Sequence, residues 1–158
     1  MAKEWTTYTL SALCLLLIAG CSKKLPRSEF IPYYEKNCRT QISRDGTMFA
    51  AMPLTADYEA AKWGAPLDSG MRVLLWIEPF SGKSLETAFL AVGRDTAHAV
   101  SIRKMESFEL RTVDSFVLGF PKKLAGAKLH VRNVGNEIGS VDIALKECGQ
   151  IRLAGGMP

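Results

Sequence analysis

The feature that most constrains the fold is the alternation of apolar and polar residues along the chain. In the segment 127–134, Ala127, Leu129 and Val131 alternate with Lys128, His130 and Arg132, and residues 107–113 and 140–148 alternate in a similar way. Successive side chains of a β-strand point to opposite faces, so a period of two is typical of strands with one buried face. We therefore predict a mainly β fold after Cys38.

Turn and breaker residues divide this part of the chain into short strands. Asp45-Gly46 tolerates the positive φ angles of a tight hairpin turn and predicts that residues 38–43 pair with residues 47–54. Residues 71–77 are the most apolar run of the domain and end before Pro79. They predict a central strand that is buried on both faces.

A short helix is predicted over residues 57–63, because Tyr58 and Ala61 share a helical face and Gly64 can end the helix. Residues 84–92 fit both a helical spacing and a strand alternation, and the sequence leaves both open. Seven to eight mostly antiparallel strands with one or two short helices predict a single β-sandwich or a small barrel. We place this β-rich domain at residues 33–153, before a flexible tail at 154–158.

The N-terminal segment, residues 1–20, is organised as a secretory signal. Lys3 precedes an apolar run from Leu10 to Ile18, which ends in the small residues Ala19 and Gly20. The run is shorter than the roughly 20 apolar residues that span a bilayer. Cleavage after Gly20 is the prediction, and a retained membrane anchor is the alternative.

Residues 17–21, Leu-Ile-Ala-Gly-Cys, resemble the lipobox of bacterial lipoprotein precursors, in which a cysteine receives lipid. The resemblance covers only this segment and implies cleavage by the lipoprotein signal peptidase, with acyl chains such as palmitate on Cys21. Two or three acyl chains would anchor stably, since each buried methylene contributes about 0.8 kcal/mol. Ser22 after the cysteine implies an outer-membrane location facing the periplasm. Cleavage without lipid is the alternative.

Residues 21–32 are expected to form a tether between the lipid and the domain. The segment contains two prolines and little apolar periodicity. Its cationic residues Lys23, Lys24 and Arg27 could contact anionic lipid headgroups, where each contributes about 1 kcal/mol. A solvated linker is the alternative.

The lipoprotein resemblance leaves two of the four cysteines for the folded domain, since Cys14 would be removed and Cys21 acylated. We predict that Cys38 and Cys148 form a disulfide in an oxidising compartment and join the first strand to the last. Two free thiols or a metal pair are the alternatives. Cys148 lies on the polar parity of its predicted strand, which counts against the pairing.

No residue pattern predicts a catalytic, cofactor or metal site. His130 lies on a polar strand face and is expected to be solvated, whereas His98 is expected to begin a strand and be partly buried. The acidic residues that a glycosidase could use are scattered, and we expect them to be surface residues; they are Glu78, Asp95, Glu106, Glu109 and Asp114.

Charge excludes one class of partner. The formal net charge of +4 is too small for a nucleic-acid-binding protein, which usually carries a concentrated Lys/Arg face.

The lipoprotein resemblance and the β-rich domain together predict a non-enzymatic envelope lipoprotein that binds another envelope protein, as an accessory of a secretion, conjugation or surface-assembly system. Binding of a small ligand or glycan, inhibition of a hydrolase, and hydrolysis itself are the alternatives.

Overall fold

The computed structural model of the protein describes residues 22–66, 70–79, 85–105, 113–132 and 139–155. In this part of the chain there are eleven strands and two helices. The helices are α1 (Arg27–Cys38) and α2 (Ala56–Trp63). The strands are β1 (Lys23–Leu25), β2 (Thr40–Arg44), β3 (Thr47–Leu54), β4 (Met71–Glu78), β5 (Thr87–Val92), β6 (Asp95–His98), β7 (Ser101–Met105), β8 (Asp114–Phe120), β9 (Lys128–Arg132), β10 (Ser140–Ala144) and β11 (Ile151–Leu153).

Two antiparallel sheets pack face to face as a β-sandwich. One sheet has the strand order β2-β3-β4-β8-β7, and the other has the order β10-β9-β5-β6. Between them lies the first hydrophobic core, whose fully buried members include Phe49, Leu75, Leu90, Leu129 and Ile143. The predicted mainly β fold is confirmed, and of the two architectures left open it is the sandwich that forms. The predicted number of strands is too low.

The two sheets are joined along both sides. On one side the chain passes from β6 into β7, where Ala99 N–H donates to Ala88 C=O at 2.9 Å and Val100 N–H donates to Gly119 C=O at 2.8 Å. On the other side the guanidinium of Arg44 in β2 donates to the carbonyl of Ser140 in β10. These contacts close the sandwich around its core.

A third layer covers the outer face of the five-stranded sheet. It consists of α1, α2 and the parallel pair β1–β11. Phe30, Tyr34 and Cys38 recur every four residues along α1, so they lie on one helix face. All three are fully buried against residues such as Met52 and Leu74 of the sheet. The protein therefore has a second core, outside the sandwich.

The expected tether at residues 21–32 is wrong, because the chain enters the fold at Lys23. Lys23 N–H donates to Gln150 C=O at 2.9 Å, and β1 pairs with β11 over three residues. Pro26 then precedes α1, which contains Pro32 and buries Phe30. The domain thus begins ten residues before residue 33. All described residues of both cores lie between Leu25 and Leu153, so a chain that starts at Ser22 contains both cores complete.

The predicted hairpin is confirmed, with Asp45 at φ 50° and Gly46 at φ 77° between β2 and β3. The expectation that the first strand begins at Cys38 is wrong, because α1 extends to that residue. β4 is central and mostly buried, as predicted, between β3 and β8.

The predicted helix is also confirmed, as α2. Thr55 Oγ1 accepts from Tyr58 N–H at its start, and Gly64 ends it in the left-handed conformation with φ 89°. The ambiguous segment 84–92 forms strand β5 from Thr87. Of the segments predicted as strands, 127–134 contains β9 and 140–148 contains β10, which ends already at Ala144. Of the predicted strand 107–113, residues 107–112 lie outside the described residues.

Cys38 and Cys148 lie at disulfide distance, as predicted. Their Cα atoms are 5.9 Å apart, inside the usual range of roughly 4.4–6.8 Å. The bond joins the end of α1 to the loop before β11 rather than the first strand to the last. Because β10 ends at Ala144, strand parity does not apply to Cys148, which is buried in that loop.

Replacing both cysteines, Cys38→Ala with Cys148→Ala, should lower the free energy of unfolding by about 2–5 kcal/mol, because the unfolded chain is no longer closed into a loop of 110 residues. Urea unfolding of the chain from Ser22 measures the effect. A reducing agent should shift the wild-type midpoint to that of the double variant and leave the variant unchanged. Equal wild-type midpoints with and without reductant would contradict the prediction.

Polar groups of the second core are paired. The carboxylate of Glu59 in α2 is 1% exposed and accepts from both Nε and Nη2 of Arg72 in β4. The hydroxyl of Tyr34 donates to Pro53 C=O at 2.9 Å, and that of Tyr58 donates to Glu35 Oε1 at 2.6 Å. These bonds tie both helices to the sheet and to each other.

Burial raises the pKa of the Tyr34 phenol to about 12. Burial and the hydrogen bond to Glu35 raise the pKa of Tyr58 as well. The folded state holds the Tyr34 proton more tightly than the unfolded chain does. Below about pH 10 the phenol is protonated in both states, so the free energy of unfolding does not vary with pH through this group. Between about pH 10 and 12 the unfolded chain loses this proton while the folded state keeps it, so the free energy of unfolding falls as the pH rises.

Tyr34→Phe should therefore flatten the decline of stability above pH 10. The slope of the free energy of unfolding against pH should be shallower in the variant than in the wild type. The difference between the two slopes should be about 1.4 kcal/mol per pH unit, because one titrating phenol is removed. Urea unfolding at a series of pH values from 8 to 12 measures the slope. Tyr33→Phe, on the half-exposed position next to it, is the control and should keep the wild-type slope. An unchanged slope in Tyr34→Phe would contradict the assignment.

Candidate functional site on the four-stranded sheet

The outward face of the four-stranded sheet brings together functional side chains from all four of its strands. Strand pairing places Asp142 opposite His130, His130 opposite Phe89, and Phe89 opposite His98. We call these four residues the histidine row. Both histidines of the chain belong to it. Sequence reasoning assigned neither of them to a common site.

The alternation of each strand explains why the row faces outward. Leu129 and Val131 of β9 are buried in the sandwich core, so His130 between them points to the other face. Val141 and Ile143 of β10 are buried in the same way and direct Asp142 outward. The row is therefore a consequence of the same period of two that builds the core.

Asp142 positions the imidazole of His130. The distance from Nδ1 to Oδ1 is 2.6 Å, and the two side chains are 20% and 62% exposed. A carboxylate accepts hydrogen bonds, so the neutral imidazole carries its proton on Nδ1. The bond thus determines the tautomer and directs the unprotonated Nε2 away from Asp142.

Ring contacts order the rest of the row. The rings of His130 and Phe89 stack with their centroids 4.6 Å apart and an angle of 9° between their planes. The ring of His98 lies 5.5 Å from that of Phe89, tilted by 38°. The guanidinium carbon of Arg132 lies 5.2 Å from the centroid of Phe89. Such stacking and cation–π contacts stabilise the arrangement without a ligand.

Cations outnumber anions on this face. The outward positions of the four strands carry Lys128 and Arg132 beside the two histidines, with Asp142 as the carboxylate. Lys128 and Arg132 are exposed. The face therefore carries a positive balance, with the guanidinium of Arg132 placed against the ring of Phe89.

A histidine oriented by an aspartate is also part of many hydrolytic sites. Hydrolysis further requires a nucleophile next to the imidazole and a cleft that limits access of water. The carboxylate of Asp142 is 62% exposed, on an open sheet face. Among the described residues, His130 and Asp142 thus lie on the surface of the sheet.

The expectations for the two histidines are wrong in opposite directions. His98 is exposed at the end of β6 rather than partly buried at the start of a strand. The chain bends at Ala99 and Val100 to enter the other sheet, so β6 ends at His98 and the next strand begins at Ser101. His130 is mostly covered by Phe89 and Asp142 rather than solvated.

Asp142 was missed, although the sequence contains a signal for it. His130 and Asp142 lie in consecutive alternating segments, 127–134 and 140–148, and each is six residues from Asn136. An antiparallel hairpin centred on Asn136 places the two residues opposite each other, and this is the register that the strands adopt. The missing step was to consider strand pairing as well as the composition of each strand.

The scattered carboxylates remain apart in the described residues. Asp95 Oδ1 lies 3.9 Å from Lys122 Nζ, and Asp114 Oδ1 lies 2.6 Å from Lys104 Nζ. Glu78 is exposed at the end of β4, while Glu106 and Glu109 lie outside the described residues, as does Cys21. Among the residues described, no cluster of three His, Cys, Asp or Glu side chains could hold a metal ion. Nor is any described helix both long and apolar enough to span a bilayer.

Fold and site together define a disulfide-linked β-sandwich with a helical layer on one sheet and a cationic, histidine-containing face on the other. Comparison with known proteins finds no matching family model and no significantly similar curated protein or solved structure.

Nitrogen-15 NMR of the imidazoles at alkaline pH should show the neutral His130 ring protonated on Nδ1, because Asp142 accepts that proton. In Asp142→Ala the ring should shift to the Nε2-protonated form by a large fraction. His98, which has no contact with Asp142 in the row, is the internal control and should keep its tautomer. If His130 were protonated on Nε2 in the wild type, the Asp142 contact would be wrong.

Proposed function

We propose that the protein is a non-enzymatic envelope lipoprotein, anchored through Cys21, whose histidine row binds an acidic surface of another envelope protein. The role would be that of an accessory in a secretion, conjugation or surface-assembly system. The observation that carries the binding part is the row itself, which is ordered by its own contacts on the outward face of the four-stranded sheet and exposes His98 and Asp142.

Two features support an exported, anchored protein. The Cys38–Cys148 pair lies at disulfide distance, and such bonds persist in oxidising compartments such as the periplasm. The fold begins at Lys23, so removal of residues 1–20 would leave both cores intact. A lipid on Cys21 would then lie beside the domain without replacing any part of it.

The composition of the face supports a protein partner. Arginine and aromatic residues are enriched at interfaces, and a few central anchors usually supply most of the binding energy. Phe89 is such an anchor, since it lies between both histidines and under Arg132. Because its position is held before binding, little conformational entropy is lost on association.

Metabolic labelling tests the anchor. The full chain, expressed in a bacterium that is fed an alkyne palmitate, should incorporate the label, and its mass should correspond to a chain beginning at Cys21. Cys21→Ala should abolish labelling, whereas Cys14→Ala in the signal segment should leave it unchanged. A product that retains residues 1–20 and carries no label would contradict the anchor.

Site-specific cross-linking tests the binding face. A photoreactive residue at His98 should yield one dominant cross-linked envelope protein, while the same residue at exposed Lys36 on α1 should not. Adding Arg132→Glu should reduce the His98 cross-link about ten-fold through repulsion of an acidic partner. The matched reversal Arg103→Glu on β7 should have no effect. Equal cross-linking from His98 and Lys36 would contradict the proposed face.

A further inference from the structure

The end of the domain that follows Cys21 is held close to that residue. Lys23 is already hydrogen-bonded to Gln150, so Ser22 alone separates Cys21 from the fold. Since a residue spans at most about 3.6 Å, the Cα atoms of Cys21 and Lys23 lie within about 7 Å of each other. A lipid on Cys21 would therefore hold this end of the domain at the membrane surface.

Two adjoining cavities open at this end. One has a volume of about 410 Å³ and is lined in part by Thr55, Lys123 and Arg152. The other has a volume of about 570 Å³ and is lined in part by Lys23 and Tyr33. Both cavities share four residues of the loop that carries the disulfide; these are Lys146, Glu147, Cys148 and Gln150.

Cations dominate around these cavities. We call Lys23, Lys123, Lys146 and Arg152 the basic end. Against these four cations the cavities contain the carboxylate of Glu147, and Asp57 Oδ2 lies 3.9 Å from Arg152 Nη1. The ammonium of Lys23 lies 3.8 Å from the centroid of the Tyr33 ring. The basic end thus keeps a positive balance, and all four cations are exposed.

Strand pairing brings further cations to the same end. Met71 pairs with Phe120, so Lys122 lies just beyond that end of the five-stranded sheet. Lys128, the first residue of β9, pairs with Ala144 of β10 next to the cavity-lining Leu145. Asp95 partly offsets this charge through its 3.9 Å contact with Lys122. A surface of this kind attracts anionic headgroups within a Debye length.

We propose that the basic end docks on a bilayer containing anionic phospholipids and holds the domain directly against the membrane. The proposal rests on the proposed acylation of Cys21. In this orientation β9 rises from the membrane, and His130 lies three residues beyond Ala127 at the cavity, about 10 Å along the strand. The histidine row faces sideways, towards neighbouring proteins in the same membrane.

The test couples the chain from Cys21 onward, through its Sγ, to a maleimide lipid in nanodiscs. This coupling makes the test independent of natural acylation, which the palmitate experiment measures separately. Lysine acylation by a water-soluble reagent, read by mass spectrometry, is compared between neutral phosphatidylcholine discs and discs with about one-third phosphatidylglycerol. Labelling of Lys123 and Lys146 should fall at least about five-fold on the anionic discs. Labelling of Lys62 and Lys104 should not change.

Charge reversal provides the second measurement. In Lys123→Glu with Lys146→Glu, both exposed positions, amide hydrogen exchange in the loop 145–150 should be the same on both kinds of disc. In the wild type it should be slower on anionic discs. The matched variant Arg103→Glu with Lys104→Glu should behave as the wild type. Equal lysine labelling on both discs in the wild type, or loss of protection in the matched variant, would overturn the proposal.

Discussion

The structure depends on the burial of both faces of the five-stranded sheet. Its inner face packs on the four-stranded sheet, and its outer face is covered by α1, α2 and the β1–β11 pair. Fully buried residues on both faces of β3 and β4, such as Ala51 and Met52, show that neither face is available to solvent in this region. In the part of the chain that the structure describes, the four-stranded sheet is packed on one face only, and its outward residues lie at the surface. The position of the histidine row follows from this unequal coverage.

Covering the outer face also brings polar groups into the interior. Glu59 and Arg72 are paired through two hydrogen bonds, and the phenols of Tyr34 and Tyr58 both have acceptors. Removing one partner of such a buried pair usually costs more than the pair contributes, because a charge is left unpaired in the interior. The helical layer is therefore held in one orientation, with Cys38 next to Cys148. That orientation also places Ser22 beside the basic end.

Much of the sandwich could be predicted from local patterns, whereas the helical layer could not. The turn at Asp45-Gly46 and the helix ended by Gly64 depend on backbone preferences of a few adjacent residues. By contrast, α1 contains Pro32, and its sequence as a whole is only weakly amphipathic. The four-residue spacing of Phe30, Tyr34 and Cys38 was the available signal, but only these three residues form the pattern. Tertiary packing outweighed the low helical propensity of this segment.

The sequence by itself determined the half-buried strands β9 and β10 and the hairpin of β2 and β3. These elements follow from side-chain periodicity and turn chemistry. The choice of Cys38 and Cys148 as a pair also needed the lipoprotein resemblance of residues 17–21, which assigns Cys14 and Cys21 elsewhere. The tertiary structure alone decided that His98, Phe89, His130 and Asp142 form one row, and that the loop 145–150 meets the start of β1. These contacts join residues far apart in sequence, and their positions depend on sheet order and on the bend at Ala99–Val100. Local preferences identify neighbours that a tight turn joins, such as β2 and β3, but not strands that are far apart in sequence.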